Sequence, residues 1–356
     1  MKKALIAMSG GVDSSVAAYL MKKNGYECIG ATMRLFDNED VGISSEKACC
    51  SLSDVDDARS VAFTLDIPYY VLNFTDKFEE TVINKFIYSY ENGLTPNPCI
   101  DCNRYLKFEK LYSRAKEIGY DYVVTGHYAR TCYDEKIGRY LLKKAVDENK
   151  DQSYVLYSLT QDQLKHTLFP LGGLTKPEVR KIAEENGFIN AEKHDSQDVC
   201  FVQNQTYAEF IEQRTGKKYT SGNFIDVNGN VLGKHNGIIR YTVGQRKGLG
   251  LSFFEPMYVK CVNPHDNTVT LAKEAELYRD TLYATDVNLI SVAKIDEPLR
   301  VKAKIRYRQT EQPATVTQID ENNLKVVFDV PQRAVTKGQA VVFYDGDIVV
   351  GGGTII

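Results

Sequence analysis

The first half of the chain alternates short apolar runs with longer segments whose apolar residues recur at helical spacing. β-rich apolar runs predict strands, whereas apolar residues three or four positions apart predict amphipathic helices. The predicted strands are KALIAM, ECIGATM, YYVLNF and YVVTGHY, and the helical stretches between them, each ending in glycine, include SSVAAYLMKKNG and NRYLKFEKLYSRAKEIG. This alternation predicts an α/β fold, a doubly wound, Rossmann-like parallel sheet with helices on both sides.

One of these stretches shows how a helix would pack on the sheet. Phe108, Leu111, Ala115 and Ile118 recur at helical spacing within the predicted helix 103–118 and give it one apolar face. Ligands of such sheets bind at the carboxyl ends of the strands. We therefore expect functional residues directly after the predicted strands.

From about residue 206 the pattern changes to short strands separated by turn residues. NFIDVNGNVLG places Asn-Gly between two apolar runs and predicts a β-hairpin. GIIRYTVGQRKGLGL predicts further strands broken by glycine, and VVFYDGDIVVGGG predicts a closing hairpin around 345–347.

A regular strand pattern appears in EPLRVKAKIRYRQ. One predicted face is apolar and consists of Val301, Ala303, Ile305 and Tyr307. The opposite face is basic and consists of Lys302, Lys304, Arg306 and Arg308. Taken alone, a basic strand face is typical of a solvated sheet surface. A small β-barrel or sandwich of roughly 75 residues suits this end of the chain.

Composition places the chain among soluble globular proteins, with 26% charged and 43% hydrophobic residues. A length of 356 residues exceeds what one core supports. The patterns predict an α/β domain at 1–205, a small mostly-β central domain at 206–278 and a C-terminal β-barrel at 279–356. A net charge of −3 supplies no global attraction for nucleic acid, so an RNA partner requires a local basic patch.

Neither targeting nor disulfide signals stand out. The apolar run Ala4 to Met8 is too short for a secretory core, and no stretch is long enough for a membrane span, which predicts a cytoplasmic protein without a membrane partner. The 8 cysteines do not form a disulfide framework in a chain of this length. Cys28, Cys132 and Cys261 are predicted to be small buried hydrophobic residues.

The stretch SGGVDSS separates the first predicted strand from the first predicted helix. It lacks the lysine of a Walker-type phosphate loop. Glycine amides, hydroxyls and a helix start together favour an anion-binding loop, whereas a plain capped Gly-Gly turn is the simpler alternative. The residues concerned are Ser9, Gly10, Gly11, Asp13, Ser14 and Ser15.

Three cysteines lie in polar motifs. Cys99 and Cys102 in TPNPCIDCNRYLKF have the spacing of zinc ligands, but no second pair completes a tetrahedral site. Cys102 immediately precedes the predicted helix 103–118, and a helix N-terminus favours a reactive thiolate. Cys200 in SQDVCFV is, on its own, equally consistent with a buried structural cysteine.

Taken together, these motifs resemble a known family. SGGVDSS is the signature of the PP-loop ATP pyrophosphatases, which cleave ATP between the α and β phosphates and pass AMP to a substrate oxygen. With NPCIDCNRYLKF, TGHYAR, NKDQSYVLYSL, LFPLGGLTKPEVRKIA, SQDVCFV, TVGQRKGLG and RYRQ in this order, essentially the whole chain resembles the tRNA-specific 2-thiouridylases.

The resemblance implies that ATP and Mg²⁺ bind in the first domain. Asp13 is expected near the magnesium ion as a catalytic residue, and Met33 beside the adenine. A loop that stabilises the departing pyrophosphate lowers the barrier to attack at the α phosphorus. The implied ATP-binding residues are Ala7, Met8, Ser9, Gly10, Gly11, Val12, Asp13, Ser14, Ser15, Met33 and Gly126.

The resemblance also implies a sulfur transfer to the wobble uridine of tRNAs for lysine, glutamate and glutamine. ATP adenylates the C2 oxygen, Cys200 carries a persulfide, and Cys102 is the partner nucleophile. Transfer ends either in a Cys102–Cys200 disulfide or in release of sulfide near the base. The sulfur donor is a cysteine desulfurase or a sulfur-relay protein.

RNA contacts follow from the same resemblance. Asn97, Pro98 and Cys99 are expected at the flipped target base. The remaining expected tRNA contacts, some of them in the C-terminal domain, are His127, Lys150, Asp151, Gln152, Arg306, Tyr307 and Gln339. The segments 42–53 and 195–200 are expected to rearrange when RNA binds.

Alternatives remain open at this stage. Some relatives carry an acidic residue in place of Cys99, and its thiol allows Cys99, Cys102 and Cys200 to hold an iron–sulfur cluster instead. A PP-loop ligase that forms an amide or amidine on a small metabolite is another alternative, but it has no use for Cys102 and Cys200. A third is a non-catalytic tRNA-binding protein switched by ATP.

Overall fold

The computed structural model describes residues 1–36, 52–194, 199–202 and 205–356. The strands, in chain order, are β1 (Lys3–Ala7), β2 (Glu27–Arg34), β3 (Tyr69–Asn73), β4 (Tyr122–Val124), β5 (Ala129–Asp134), β6 (Arg139–Lys144), β7 (Thr167–Leu168), β8 (Gly222–Ile225), β9 (Val231–His235), β10 (Tyr258–Asn263), β11 (Thr268–Ala272), β12 (Tyr278–Leu289), β13 (Leu299–Lys304), β14 (Gln312–Gln318), β15 (Leu324–Arg333), β16 (Ala340–Asp345) and β17 (Ile348–Ile355).

The α-helices are mostly short. They are α1 (Val12–Lys23), α2 (Leu52–Thr64), α3 (Thr75–Phe78), α4 (Asn84–Glu91), α5 (Pro98–Asp101), α6 (Leu111–Glu117), α7 (Gln161–Lys165), α8 (Lys176–Glu185) and α9 (Tyr207–Thr215). π-Helical turns at Glu79–Ile83 and Cys102–Lys110 join α3 to α4 and α5 to α6. In the described part of the chain, no helix is both long and apolar enough to cross a bilayer.

The N-terminal sheet is parallel, as the alternation of strands and helices predicts. Its strand order is β3-β2-β1-β4-β7. Alternate residues of β1 pack on opposite sides: Leu5 joins a cluster with Ile29 and Val123, whereas Ala4 and Ile6 join a second cluster. Because the chain leaves β1 toward β2 and returns to its other side at β4, the switch point lies between β1 and β4.

The apolar face predicted for helix 103–118 is confirmed at three of its four positions. Phe108, Leu111 and Ala115 are fully buried, but Ile118 is 41% exposed. The helix ends at Glu117, and Ile118 occupies the cap position. The predicted periodicity therefore runs one residue beyond the helix that carries it.

The central region contains α9 and a four-stranded sheet in the order β10-β11-β8-β9. The predicted Asn-Gly hairpin is confirmed as the antiparallel pair β8–β9. The strands predicted within GIIRYTVGQRKGLGL are wrong, because this segment forms a 3₁₀ helix at Ile238–Arg240 followed by turns. Its glycines Gly237, Gly244, Gly248 and Gly250 all have positive φ, which interrupts an extended run.

The C-terminal region is the predicted barrel. Antiparallel strands follow the order β12-β15-β14-β13-β16-β17, and pairing of β12 with β17 closes the ring. The alternating pattern fails near its end, because β13 stops at Lys304. Ile305 is buried, but Tyr307 is 38% exposed rather than part of the apolar face, and Arg306 is half-buried.

A hairpin from the N-terminal half joins the barrel, and no sequence pattern predicts this pairing. β5 and β6 extend the barrel sheet through the pairing of Lys143 with Ile348. Arg130 also bonds Asp347 at 2.9 Å. The first and last regions of the chain are thus connected through one continuous sheet.

The cysteines predicted to be structural differ in burial. Cys28 is buried, and burial raises the pKa of its thiol to about 11. The prediction is wrong for Cys132 and Cys261, which are exposed. Both lie on edge strands, β5 and β10, where one face of the strand meets solvent.

Candidate active site

The loop after β1 is shaped by a glycine in a left-handed, closely packed turn. Gly10 has a φ of +75°, and a Cβ added there would lie 2.3 Å from the backbone oxygen of Asp54. Ser14 Oγ donates to the Gly11 carbonyl at 2.9 Å and accepts from the Ser9 N–H at 3.2 Å. The first-turn N–H groups of α1 have no intrahelical acceptors, so the loop presents an anion-binding surface.

A second glycine brings the turn after β4 against this loop. A Cβ on Gly126 would lie 2.8 Å from both the Ser14 nitrogen and the Asp13 carbonyl carbon. The turn therefore packs directly on the start of α1. Both predicted nucleotide-binding segments consequently lie at the switch point between β1 and β4.

Asp13 is held by two groups that sequence reasoning missed. Lys176 Nζ donates to its two carboxylate oxygens at 2.7 and 2.9 Å, and the Tyr128 hydroxyl donates to Oδ1 at 2.8 Å. Lys176 is only 7% exposed and begins α8 within the motif LTKPEVRKIA. A buried cation thus lies beside the anion-binding loop.

The other side of the loop is held by a second lysine and an amide. Lys193 Nζ donates to Asp54 Oδ1 and Asp57 Oδ2, each at 2.6 Å, while Asn190 Nδ2 donates to the Gly10 carbonyl at 2.9 Å. Burial alone would lower the pKa of Lys193, but its hydrogen bonds to the two carboxylates outweigh burial and raise that pKa. Lys193 is therefore a permanent cation that fixes α2 against the loop.

Other predicted nucleotide residues belong to the framework. Met8 and Val12 are buried at 2% exposure, so their side chains pack in the core. The Thr32 hydroxyl donates to the Met8 carbonyl at 2.6 Å. Ala7 ends β1, and Met33 lies half-buried on β2, next to β1 in the sheet.

The helix that carries the first cysteine pair begins earlier than the sequence analysis predicts. Pro98 occupies the first turn and Asn97 the cap position, so Cys102 lies in the second turn instead of before the helix. The argument that a helix N-terminus activates Cys102 is therefore wrong. Cys99 is exposed in the first turn, whereas Cys102 is half-buried.

The fold places Cys102 and Cys200 at one cluster although they are distant in sequence. Both are half-buried and pack against the hydrophobic cluster that contains Phe78 and Phe201. Among the described residues, which include Cys99, no three His, Cys, Asp or Glu side chains are arranged to bind one metal ion. The three cysteines do not fit an iron–sulfur cluster in this arrangement.

Two barrel residues expected to contact tRNA, Tyr307 and Gln339, lie near the segment expected at the target base. The Tyr307 hydroxyl donates to the Asp151 carbonyl at 3.1 Å. Burial, with smaller contributions from Asp151 and Cys99 that Arg308 opposes, raises the pKa of Tyr307 to about 12. Gln339 donates to the Thr95 carbonyl just before Asn97. Barrel residues thus lie next to the segment around Cys99.

Several expected tRNA contacts are engaged within the protein. Asp151 Oδ1 accepts from the Ala145 and Ser153 N–H groups at 3.0 and 3.2 Å. Gln152 Oε1 accepts from the Tyr128 N–H at 2.9 Å. Arg306 Nη2 donates to the Ala334 carbonyl at 2.8 Å, and Lys150 is half-buried. Their contacts with tRNA stay predictions.

His127 lies inside the protein. It is 7% exposed, its Nδ1 lies 2.7 Å from the Thr125 hydroxyl, and its ring lies 6.0 Å from those of Phe108 and Phe169. Burial lowers the pKa of His127 well below its ordinary value, and Lys107 adds to this effect. The imidazole is therefore neutral and supports the turn after β4.

We expect the neutral imidazole to make folding pH-dependent. The unfolded chain binds a proton at this histidine near pH 6.5 and the folded chain does not, so stability is lost as the pH falls below about 6.5. His127→Gln should remove up to about 1.4 kcal/mol per pH unit of this loss, measured by denaturant unfolding between about pH 7.5 and 5.5. Exposed His265→Gln is the control. An unchanged slope in His127→Gln would contradict the assignment.

Comparisons with known proteins agree along the whole chain. Family models match at residues 2–204 (tRNA methyl transferase HUP domain), 208–273 (tRNA methyl transferase PRC-barrel domain) and 279–355 (Aminomethyltransferase beta-barrel domain). The chain is 54% identical to the tRNA-specific 2-thiouridylase MnmA of Clostridioides difficile, over 99% of this chain and 98% of that protein. It belongs to the tRNA-specific 2-thiouridylase family.

Further relatives carry the same name. The tRNA-specific 2-thiouridylase MnmA of Acetivibrio thermocellus is 56% identical over 99% of both chains. Among solved structures, a 4-thiouridine synthetase bound to RNA and ATP matches 60% of this chain and 50% of that one, with 20% identity and a TM-score of 0.40. Membership of the 2-thiouridylase family rests on the sequence relatives and the family models, and a structural likeness this low adds nothing to it.

Proposed function

We propose that this chain is an ATP-dependent tRNA sulfurtransferase that converts the wobble uridine of tRNAs for lysine, glutamate and glutamine to 2-thiouridine. The observation that carries the proposal is the packing of Cys102 and Cys200 on one cluster, in a chain similar over its full length to 2-thiouridylases. A transferase of this class needs a nucleotide site, two thiols and an RNA surface. Each has a candidate among the described residues.

The nucleotide candidate is the loop after β1. Gly10 allows the left-handed turn that packs the loop against Asp54, and the first-turn N–H groups of α1 suit a pyrophosphate. Lys176 adds a buried positive charge, which favours polyphosphate. Met33 on β2 is the proposed adenine neighbour.

The magnesium candidate is Asp13. Mg²⁺ at nucleotide sites commonly uses one or two carboxylates together with phosphate oxygens and water, so a single loop aspartate fits it. When bound, Mg²⁺ neutralises the charge that develops on the phosphates. Lys176 and Tyr128 hold the Asp13 carboxylate by hydrogen bonds.

The chemistry proceeds in two parts. The C2 oxygen of the uridine attacks the α phosphorus of ATP and releases pyrophosphate, so the oxygen can later leave as part of AMP. A persulfide on Cys200 then supplies the outer sulfur. If Cys102 attacks the inner sulfur of that persulfide, the products are sulfide for the base and a Cys102–Cys200 disulfide, which a reductant must reduce.

The RNA candidate surface includes a cleft beside the barrel. The cleft has a volume of about 500 Å³, and Arg306, Arg308 and Arg333 are among its lining residues. Burial, together with the neighbouring Arg333, lowers the pKa of Arg306. Crowded guanidinium groups favour phosphate, and the contribution of such contacts to binding falls as salt rises.

The chain is proposed to consist of three domains and to receive sulfur from a partner protein. We place the domain boundaries at 1–205, 206–278 and 279–356, with the PP-loop in the first domain and tRNA contacts shared with the last. A cysteine desulfurase or sulfur-relay protein is the proposed donor, and the cytoplasm the proposed location. Most of the segments 42–53 and 195–200, expected to rearrange on RNA binding, lies outside the described residues.

The alternatives raised by the sequence are not favoured. An amide-forming ligase would leave Cys102, Cys200 and the barrel without a use, and a non-catalytic tRNA-binding protein would not need the thiols. The test is mass spectrometry of nucleosides from tRNA incubated with the protein, ATP, Mg²⁺ and a sulfur source. We expect 2-thiouridine only when ATP is present, and intact uridine under all conditions would contradict the proposed function. A brown anaerobic preparation containing iron and sulfide would leave the function standing and replace the persulfide route with an iron–sulfur cluster.

A further inference from the structure

The barrel contacts the proposed catalytic segment at both of its ends. This segment runs from Thr95 to Arg104 and contains the proposed base contacts and Cys102. Contacts at both ends of a short segment fix its position more firmly than one contact does. They come from two separate parts of the barrel.

The first contact holds the loop before Asn97. The Thr95 N–H donates to the Lys337 carbonyl at 2.9 Å, and Gln339 Nε2 donates to the Thr95 and Pro96 carbonyls at 2.9 and 3.1 Å. Gly338 has a φ of +89°, and a Cβ there would lie 2.9 Å from the Thr95 oxygen. The close approach therefore depends on glycine at position 338.

The second contact holds the helix just after Cys102. Arg104 makes a two-pronged ion pair with Asp286, and the Nη2–Oδ1 distance is 2.9 Å. The hydrogen bonds to Asp286 raise the pKa of Arg104 above its ordinary range. A paired fork of this kind fixes direction as well as distance, which a lysine cannot reproduce.

The backbone of β12 is irregular where it contacts Arg104. Asp286 has a φ of +53°, a conformation that is uncommon for residues other than glycine. The β12–β17 register is interrupted between Thr285 and Asn288, which is where Asp286 projects. Asn288 in turn donates to the Tyr157 carbonyl at 2.6 Å. The irregular backbone of this strand carries both Asp286, which pairs with Arg104, and Asn288. Strained backbone of this kind is typical of functional positions.

We propose that the barrel is a clamp that positions the segment Thr95–Arg104, with Asp286 and Gln339 as positioning residues for sulfur transfer. The inference rests on the proposed thiouridylase function. It adds that the domain expected to bind tRNA also sets the location of Cys102. Binding of RNA on the barrel and placement of the thiol are thereby mechanically coupled.

Asp286→Asn tests the clamp. Asparagine has the same shape and tolerates positive φ, so the variant removes the charge and leaves the backbone conformation accessible. We expect single-turnover formation of 2-thiouridine at saturating tRNA to slow by about tenfold or more, because misplaced reacting groups lose rate steeply. Affinity for tRNA and release of pyrophosphate from ATP should stay unchanged.

Two further variants separate positioning from general damage. Arg104→Lys should slow transfer as well. The double variant Arg104→Lys with Asp286→Asn should be no slower than the slower single variant, because the two substitutions disrupt the same ion pair. Asp329→Asn is the matched control, because Asp329 forms a two-pronged pair with Arg300 on the exposed surface of the barrel. It should transfer sulfur at the unaltered rate.

A second readout does not depend on activity. Alkylation of Cys102 by iodoacetamide, followed by peptide mass spectrometry, should change in rate and pH profile in Asp286→Asn but not in Asp329→Asn. Transfer and alkylation both unchanged in Asp286→Asn would overturn the clamp, as would equal loss of pyrophosphate release and transfer. If the unaltered protein forms no 2-thiouridine, the proposed function fails, and the alkylation comparison alone decides the clamp.

Discussion

Cys200→Ser is expected to abolish 2-thiouridine formation while pyrophosphate release from ATP in the presence of tRNA continues. A serine hydroxyl cannot carry a persulfide, so no outer sulfur is available for transfer. The nucleotide loop is built from other elements, β1, α1 and α8, and does not depend on this side chain. The loss should exceed about a thousandfold, as for removal of other covalent catalytic groups.

The measurement follows both products in one reaction: pyrophosphate, and 2-thiouridine by mass spectrometry of the digested tRNA. Cys102→Ser should give the same separation, because the persulfide then lacks its attacking thiol. Cys132→Ser is the matched control, since Cys132 is exposed on β5 at the edge of the barrel sheet. Normal thiolation by Cys200→Ser with the physiological donor would exclude the persulfide role.

Local patterns were sufficient to predict the main elements of the fold. Alternation along β1, with Leu5 facing one cluster and Ile6 the other, is a property of the strand itself and is readable in sequence. The hairpins β8–β9 and β16–β17 are similarly encoded by their turn residues. The β5–β6 hairpin could be placed in the barrel only by a long-range pairing, Lys143 with Ile348, which no local pattern contains.

The turn after β1 could be predicted from sequence, whereas the lysines that contact it could not. SGGVDSS predicts the glycine turn between β1 and α1, but Lys176 and Lys193 meet this turn only after α8 and the chain beyond it fold back. A lysine in a helical stretch ordinarily indicates a solvated face, so sequence alone gives no reason to select these two. Lys176 is buried and Lys193 half-buried only as a consequence of tertiary structure.

The error in the helix start had a readable signal. Asn97 followed by Pro98 combines a favoured cap residue with the residue favoured at the first helical position. Giving that pair its usual weight places Cys99 in the first turn and Cys102 in the second. The consequence is chemical, because the nucleophilic role proposed for Cys102 then requires activation by its surroundings in the fold and not by the helix end.

Gly10→Ala is expected to lower the stability of the ligand-free protein and to remove ATP binding. Two independent costs act together: a φ of +75° is unfavourable for alanine, and the new Cβ would lie 2.3 Å from the Asp54 oxygen and 2.7 Å from its Cα. Strain and overpacking together are worth about 2–5 kcal/mol. Relief requires either the loop or α2 to move, and both shape the anion-binding surface. Thermal unfolding should show a fall in Tm on the order of 10 °C.

The neighbouring glycine separates this backbone effect from the general loss of a glycine. Gly11 has a φ of −89°, and a Cβ there would meet only Ser9 Oγ, at an ordinary 3.6 Å. Gly11→Ala should therefore unfold close to the unaltered protein in the absence of ligand, although the two substitutions are chemically identical and adjacent. If both variants lose stability equally, the left-handed turn against Asp54 is not what holds the loop. If only Gly10→Ala does, the anion-binding surface owes its shape to contact with α2 rather than to glycine content, and Lys193, which pairs with Asp54 and Asp57 on that helix, stabilises the same contact.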